Sequence, residues 1–558
     1  MPYAVEMRLD VKIPMRDGVK LSADIYLPKA AGPFPVVLVR TPYNNNLEPA
    51  IEKARSLANT GYAVVLQDVR GRWDSEGEFY PFQDEALDGF DTQEWIGRQS
   101  WSSGKIGMSG ASYLAAVQWA SAPLGSEYLT CLAPRVMCND YFNELIYPGG
   151  AFHLNVAATW GMRTRARTAQ TIAFHNWTEA FHTLPLVEFA TQAGDDVGFW
   201  RDWIEHSTDD EYWAKLNFRK QFDQISVPAF EMSGWFDLYA QHAFTNFNTL
   251  RERGTSPATR QSKLIVGPWP HHLSGCTCTG DIDFGAHSMV DLEDLELRWF
   301  DYWLKGKNNG ILDDPPIRLF IMGINEWRDE HEWPLARTVW QKWYLHSAGA
   351  ANTVLGDGQL ATKAPGDEPP DEYDYDPRYP AQTLGGNNCC SPHIVPWGPY
   401  DQRPVEMRND VLCYTGPVLQ EDLEVTGPIQ MTLYATSDRP DTDWTAKLVD
   451  VSPSGYAMNL CDGIIRARYR ESRSDPTPIQ PGTVYEYTID VGATGNVFRK
   501  GHRIRLEISS SNFPRFDRNP NTGHAIGKDA ELHTAHQTIH HSTAYPSHIL
   551  LPVIPAKN

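Results

Sequence analysis

Lys105-Ile-Gly-Met-Ser-Gly-Ala-Ser-Tyr-Leu-Ala115 decides how this chain is read. Ile106 to Met108 is a short apolar run suited to a buried strand. Tyr113 to Ala122 is rich in alanine and apolar side chains, as a packed helix requires. Gly107 and Gly110 allow tight backbone geometry, and Ser112 falls at the tip of a sharp strand-to-helix turn. A serine on such an elbow projects its hydroxyl from the sheet edge, and the amide that follows points at whatever the hydroxyl attacks. That geometry suits an acyl-transfer nucleophile. The pattern departs from G-x-S-x-G, because Leu114 stands where the second glycine belongs and Ala115 supplies the small residue one position later. Alone, the stretch is equally compatible with an ordinary strand-to-helix turn.

Two later stretches supply partners. Val227-Pro-Ala-Phe-Glu-Met-Ser-Gly-Trp-Phe-Asp237 is an apolar strand running into a loop, with Asp237 past its end. Lys263-Leu-Ile-Val-Gly-Pro-Trp-Pro-His271 is another, with His271 in the loop beyond. Loops at the carboxyl ends of parallel strands gather catalytic residues in open α/β sheets. The order serine, acid, histidine is that of α/β-hydrolases. A serine hydroxyl needs a base to take its proton, imidazole suits that task near neutrality, and a carboxylate fixes the imidazole tautomer. Two alternatives stay open at this point: His272 adjoins His271, and Asp237 is also placed to cap a helix beginning near Leu238.

The segments Arg16-Asp-Gly-Val-Lys-Leu21, Val39-Arg-Thr-Pro-Tyr43, Gln67-Asp-Val-Arg-Gly71, Ser75-Glu-Gly-Glu-Phe79, Gly110-Ala-Ser-Tyr113, Gly234-Trp-Phe-Asp237 and Gly267-Pro-Trp-Pro-His271 carry a resemblance. In this order they resemble the bacterial cocaine esterase family, whose relatives include α-amino-acid ester hydrolases, certain cephalosporin acylases and X-prolyl dipeptidyl peptidases. The likeness continues through Ile321-Met-Gly-Ile-Asn-Glu-Trp-Arg328, Asp441 to Val451 and Ser509 to Asn519, and is weakest between about Asn155 and Asn217. It implies a triad of Ser112, Asp237 and His271, favouring His271 over His272. It also implies an oxyanion hole built from the Tyr113 amide and the Tyr43 hydroxyl, in a chain without a His-Gly-Gly-Gly segment. The plain alternative for Tyr43 is packing against the Pro42 turn.

Length and composition set the frame. A chain of 558 residues exceeds one core, and 41% hydrophobic content supports a large buried interior. A formal net charge of -21 opposes nucleic acid or an anionic membrane as partner. Neither a secretory leader pattern nor an apolar run of membrane-spanning length is evident, so a cytoplasmic protein is expected. Composition leaves the oligomeric state open, a homodimer included. The eight cysteines, among them Cys276, Cys278 and the adjacent pair Cys389-Cys390, are expected as free thiols. The histidines His533, His536, His540 and His541 are not expected to hold a metal, and no cofactor is expected.

The chain divides into 1–140, the first part of an α/β hydrolase core; 141–222, a helical cap insertion; 223–340, the second part of the core; and 341–558, a C-terminal all-β sandwich. The resemblance makes that sandwich a jelly roll. In the insertion, Ala180 to Ala190 and Phe199 to Glu205 have helical spacing, whereas Gly356 to Pro380 reads as a long ordered loop or linker. For substrate binding, Trp235, Phe236 and Tyr239 flank the acid, and Trp160 lies in the insertion where the family uses an aromatic residue against the acyl group. Aromatic walls favour an apolar or aryl acyl group, although Trp235 and Phe236 also fit plain core packing. Asp140 and Glu144 are candidates to hold a substrate ammonium, as in the relatives that prefer amino-acid esters.

The favoured reading is a cofactor-free serine esterase acting on a small-molecule ester through an acyl-enzyme. Its runner-up is amide or peptide cleavage, as by an acylase, an X-prolyl dipeptidyl peptidase or an α-amino-acid ester hydrolase. A different class is an inactive protein that holds carbohydrate on the β-sandwich.

Overall fold

The apolar runs of the first 330 residues pair into one sheet. A computed structural model of the chain describes residues 3–170, 176–192, 196–273 and 277–556. Strands β1 (Val5–Pro14) and β2 (Lys20–Pro28) form the expected opening hairpin, antiparallel with a bulge between Arg8 and Val11. They are followed by β3 (Phe34–Thr41), helix α1 (Glu48–Asn59), β4 (Ala63–Asp68), α2 (Glu85–Gly97), β5 (Ser102–Ala111), α3 (Tyr113–Ser121) and β6 (Leu129–Arg135). A helical insertion holds α4 (Leu154–Thr164), α5 (Trp177–Ala180), α6 (Phe189–Gln192), α7 (Gly198–Glu205) and α8 (Glu211–Ala214). The core resumes with β7 (Phe230–Phe236), α9 (Ala240–Arg253), β8 (Lys263–Pro270), the short hairpin β9 (Cys278–Thr279) and β10 (Ile282–Asp283), α10 (Leu292–Lys305), β11 (Ile317–Ile321) and β12 (Glu326–Glu330).

The sheet order is β1-β2-β4-β3-β5-β6-β7-β8-β11-β12. Its middle, from β4 through β11, is parallel, which explains why β4, β7 and β8 are buried along their whole length. Side chains alternate across β5. Ile106 and Met108 join the core that includes α3, while Gly107 faces α10, where an added Cβ would stand 2.8 Å from the Phe300 ring. Strand β5 is thus packed between α3 and α10.

Two expectations fail locally. Ala180 to Ala190 is not one helix, because Pro185 separates α5 from α6 and offers no amide proton to continue a turn. Gly356 to Pro380 is not a bare loop, since it contains β14 (Gln359–Ala361) and β15 (Asp371–Tyr375). Tyr373 and Tyr375, on one face of β15, are buried while Glu372 and Asp374 are exposed, a two-residue period hidden among Gly and Pro.

The C-terminal unit adds β13 (Val339–His346), β16 (Leu412–Thr415), β17 (Leu423–Ser437), β18 (Asp443–Val451), β19 (Ala457–Arg466), β20 (Tyr485–Phe498), β21 (Arg503–Ser509), β22 (Ala535–His540) and β23 (His548–Ile554). Its order is β15-β22-β17-β23-β13-β14-β16-β21-β18-β19, with β20 also on β17, and every pairing is antiparallel except β14 with β16. The unit is knitted to the core through backbone bonds, Met322 N–H to Gly495 O at 2.8 Å and Val497 N–H to Met322 O at 2.9 Å. Among the described residues no helix is long and apolar enough to cross a membrane.

Candidate active site

Ser112 joins β5 to α3 with φ 58° and ψ -124°, a conformation that L residues adopt at a cost of about 1–3 kcal/mol. The surroundings enforce it. Ser112 N–H donates to Arg135 O at 2.9 Å, and the amides of Ala115 and Ala116 bond the Ser112 carbonyl at 2.8 and 3.0 Å. Gly110, at φ +144°, has no alternative, since a Cβ there would lie 2.3 Å from the Leu114 Cβ. Near the end of β5, the Ser109 hydroxyl donates to Glu296, which also pairs with Arg135 at 3.0 Å and Lys53 at 2.6 Å. Burial pushes the Glu296 carboxyl up, but the two cations outweigh it and hold the group down at about 2.

The ends of β7 and β8 bring the other two residues in. A Cβ on Gly234 would stand 2.1 Å from the Trp269 carbonyl, so the glycine permits the close approach of the two strand ends. His271 Nε2 lies 3.0 Å from Ser112 Oγ, and its Nδ1 lies 2.5 Å from Asp237 Oδ2. With Nδ1 protonated towards the carboxylate, Nε2 is left as the acceptor for the serine proton. The other oxygen of Asp237 accepts the Tyr239 amide at 2.8 Å, so the residue also ties down the turn into α9. Asn387, from the C-terminal unit, donates to the carbonyls of Trp235 and Asp237 at 2.7 and 3.0 Å and braces that turn from behind. His272 is exposed, with its ring parallel to Trp397.

Tyr43 stands on a loop with fixed anchors. Thr41 Oγ1 accepts its amide at 3.0 Å, Arg72 Nε and Trp73 Nε1 donate to Pro42 O at 2.8 and 3.2 Å, and Asp68 Oδ1 accepts the Asn45 amide at 2.8 Å. Asp68 and the following Arg72 and Trp73 thus hold the loop that carries Tyr43. The Tyr43 hydroxyl accepts the Trp160 indole N–H at 2.9 Å, and Tyr43 and Ser112 line the same cavity. Burial raises its pKa, so the phenol keeps its proton. Tyr113, the first residue of α3, has an amide with no acceptor within its own helix. Its own hydroxyl is held away from Ser112, donating to Glu85 at 2.8 Å and accepting the Phe82 amide at 2.9 Å.

Burial pushes the Asp68 carboxyl up to about 7. The folded chain therefore holds this proton more tightly than the unfolded chain, and the group weakens the fold progressively as pH rises from about 4 through 7. Asp68→Asn keeps an acceptor for Asn45 and removes the ionisation. The mutant is expected to be more stable than the parent at pH 8, by about 2–4 kcal/mol, with the difference vanishing near pH 4. Thermal unfolding across that range measures it, and a difference independent of pH would refute the assignment.

Ser112 opens on a small cavity lined by Tyr43, Phe82, Tyr113, Met137, Leu145, Ile146, Val156, Ala157, Trp160, Trp203, Tyr239 and the pair Cys389-Cys390. Trp160 lies nearly parallel to Phe82, Tyr113 and Trp203, at interplanar angles of 14°, 21° and 17°, and the Tyr239 ring is edge-on to His271. Trp160 and Tyr239 thus line this cavity, whereas Trp235 and Phe236 do not. Both are fully buried away from this cavity: Trp235 packs on Phe244 and Trp333 and donates to Phe320 O at 2.6 Å, and Phe236 meets Phe284. As part of a strand sealed on both faces they belong to the core.

The cysteine expectation is also corrected. Cys389 and Cys390 form a disulfide in the pocket wall, while Cys131, Cys138, Cys413 and Cys461 are free and buried, and Cys276 lies outside the described residues. Cys390 has φ +78°, which breaks the alternation that would send neighbouring side chains to opposite sides. The two carboxylate candidates do not line this cavity. Glu144 is gripped by both Arg219 guanidinium nitrogens and by His242 Nδ1 at 3.1 Å. Burial pushes Glu144 up, but these partners outweigh it and hold the group well below the carboxylate range. Asp140 accepts from Asn143 and Asn217 at 3.1 and 2.7 Å. The late histidines scatter to separate partners, His533 to Glu531, His536 to Asp374, His540 to Thr436 and His541 to Asp371.

Phe82, Leu145, Ile146, Trp203 and the cysteine pair escaped sequence reasoning, because they come from the loop before α2, the wide turn Phe142–Ile146, α7 and the C-terminal unit. Helical spacing in α7 indicated that Trp203 was buried, not what it faced.

Comparison with known proteins finds two successive matches along the chain. Residues 17–273 match the X-Pro dipeptidyl-peptidase (S15 family), and residues 309–550 match the X-Pro dipeptidyl-peptidase C-terminal non-catalytic domain. A cocaine esterase of Rhodococcus sp. (strain MB1 Bresler) is 39% identical, over 98% of each chain. Among solved structures, an aminopeptidase from a marine sediment archaeon, Thaumarchaeota archaeon, superposes with a TM-score of 0.86 at 25% identity, over 100% of this chain and 97% of that one. An α-amino-acid ester hydrolase does so with 0.83 at 26%, over 98% and 96%.

Proposed function

Because this chain belongs to the S15 family of serine hydrolases, among the relatives of cocaine esterase, and is a serine ester hydrolase, we propose that it cleaves esters of small, uncharged, apolar or aromatic acids through an acyl-enzyme on Ser112. The observation that carries this reading is the hydrogen-bonded chain Ser112–His271–Asp237 opening on a cavity walled by aromatic and aliphatic side chains and lined by no carboxylate.

In this mechanism Ser112 Oγ attacks the ester carbonyl carbon as its proton passes to His271 Nε2, and Asp237 stabilises the imidazolium. The carbonyl oxygen takes up the electron pair and accepts from Tyr43 Oη and the Tyr113 amide, donors that serve charge absent from the ground state. Collapse expels the alkoxide, His271 returns its proton to it, and water then repeats the sequence to free the acid and Ser112. Parallel aromatic walls suit a flat acyl group, which they bury with little loss of conformational freedom.

Likeness to an α-amino-acid ester hydrolase and to X-Pro dipeptidyl-peptidases favours a second reading, an acyl group bearing an ammonium. The engagement of Glu144 and Asp140 by other side chains speaks against it, since an unpaired ammonium in this pocket would be costly. A panel of benzoyl, short alkanoyl and α-aminoacyl esters with one common leaving group, together with an Xaa-Pro anilide, tests the choice. Benzoyl or alkanoyl esters should exceed the aminoacyl ester in kcat/KM by about a hundredfold or more. Equal or greater efficiency on the aminoacyl ester or the anilide would transfer the assignment to the second reading.

The architecture is read in the same way. We take 141–222 as a cap, supported by α4 and α7 lending Trp160 and Trp203 to the pocket. We take 341–558 as a jelly roll, supported by its nearly all-antiparallel pairing. The flanking segments 1–140 and 223–340 then form the two parts of the hydrolase core.

A further inference from the structure

We propose that Trp160 is a positioning residue for the oxyanion hole: its indole N–H occupies an acceptor site on the Tyr43 hydroxyl and so leaves the phenolic proton directed at the reacting carbonyl. The inference rests on the reading of Tyr43 as an oxyanion donor and assigns α4 a part in the chemistry in addition to its part in the acyl pocket.

The argument begins from donor and acceptor roles. An indole nitrogen is a donor only, so in the 2.9 Å contact between Trp160 Nε1 and Tyr43 Oη the phenol oxygen must accept. A phenol has one proton, which must therefore point elsewhere, and Ser112 lines the same cavity as this hydroxyl. A hydroxyl that accepts a hydrogen bond becomes a stronger donor, an effect enlarged where water is excluded.

The indole is held in place. Its ring lies against Phe82 at 5.7 Å, Tyr113 at 6.0 Å and Trp203 at 6.3 Å between centroids, all close to parallel, which leaves the N–H one direction. The Tyr43 backbone is fixed independently by Thr41, Arg72, Trp73 and, through Asn45, Asp68. The two side chains are thus anchored in different units, and their hydrogen bond joins the insertion to the core at the point where negative charge develops. A donor whose direction is set before the reaction need not reorganise during it.

Steady-state kinetics on a benzoyl ester with the variants Trp160→Phe, Tyr43→Phe and the double mutant test this. Phenylalanine keeps an aromatic face for stacking and deletes the N–H. The expected result for Trp160→Phe is a loss of about three- to tenfold in kcat with KM changed less than about twofold. Tyr43→Phe should lose about a hundred- to a thousandfold in kcat, and the double mutant no more than Tyr43→Phe alone, because the indole acts only through the phenol. A raised KM in Trp160→Phe, with losses that multiply in the double mutant, would overturn the proposal and leave Trp160 as a wall of the acyl pocket. A Tyr43→Phe variant that loses less than about threefold would instead remove the donor reading itself. Benzothienylalanine at position 160, which replaces the N–H by sulfur within the same ring shape, repeats the measurement without a packing change if Trp160→Phe does not fold. Full kcat in that variant would likewise overturn the proposal.

Discussion

Ser112→Ala is expected to lower kcat by about ten-thousandfold or more on any ester the enzyme accepts. In the proposed mechanism the Ser112 hydroxyl oxygen is the atom that becomes acylated, and the elbow at φ 58° is what presents it. What remains is the acceleration from binding and from the oxyanion donors, which survive the substitution. Stability should be little affected, because the backbone bonds from Ser112 N–H to Arg135 O and from the Ala115 and Ala116 amides to the Ser112 carbonyl do not involve the side chain. Two measurements check this: steady-state hydrolysis of an activated ester, and labelling by a fluorophosphonate, which the parent should take up at Ser112 and the mutant should not. A folded Ser112→Ala protein that kept a tenth of its activity would dismiss the serine as nucleophile.

The second large effect concerns two adjacent histidines. His271→Ala should abolish turnover to a similar degree, because Nε2 at 3.0 Å from Ser112 Oγ is the base on hand and Asp237 orients no other ring. His272→Ala should retain most of the activity, since that ring is exposed and lies beside Trp397. Losses of residues that act as one unit do not add, so Ser112→Ala combined with His271→Ala should be about as inactive as either alone. The comparison is a strict one, as the substitutions are chemically identical and one residue apart. Activity that survives His271→Ala but not His272→Ala would mean that the base had been placed one position off.

The placement of Ser112, Asp237 and His271 was already legible in the sequence because it depends on local order, whereas the preference for His271 over His272 came from the family resemblance. The run Ile106 to Met108 followed by Ser112 and an alanine-rich segment forms a strand and a helix whose junction must turn sharply, and the structure puts that junction at φ 58°. Asp237 and His271 each lie just past an apolar run, and the parallel pairing of β7 with β8 places their loops side by side. Where local pattern misled, the reason is equally physical. Pro185 interrupts the helical spacing of Ala180 to Ala190, and the alternation in Asp371–Tyr375 was masked by the Gly and Pro around it.

The acyl pocket was another matter. Trp235 and Phe236 adjoin the acid in sequence but are buried within β7, whereas Trp203, Phe82 and Cys389-Cys390 are distant in sequence and line the cavity. Glu144 looked available for an ammonium until Arg219 and His242 were seen to enclose it. The sequence by itself placed Ser112, Asp237 and His271 just past apolar strands of one sheet, because each placement depends on the alternation or spacing of neighbouring residues, whereas the preference for His271 over His272 came from the family resemblance. The tertiary structure alone decided which side chains face the acyl group, which carboxylates are engaged and which hydroxyl the Trp160 indole meets. Those outcomes depend on how the insertion and the C-terminal unit pack against the core, and packing joins residues whose separation along the chain carries no periodic signal.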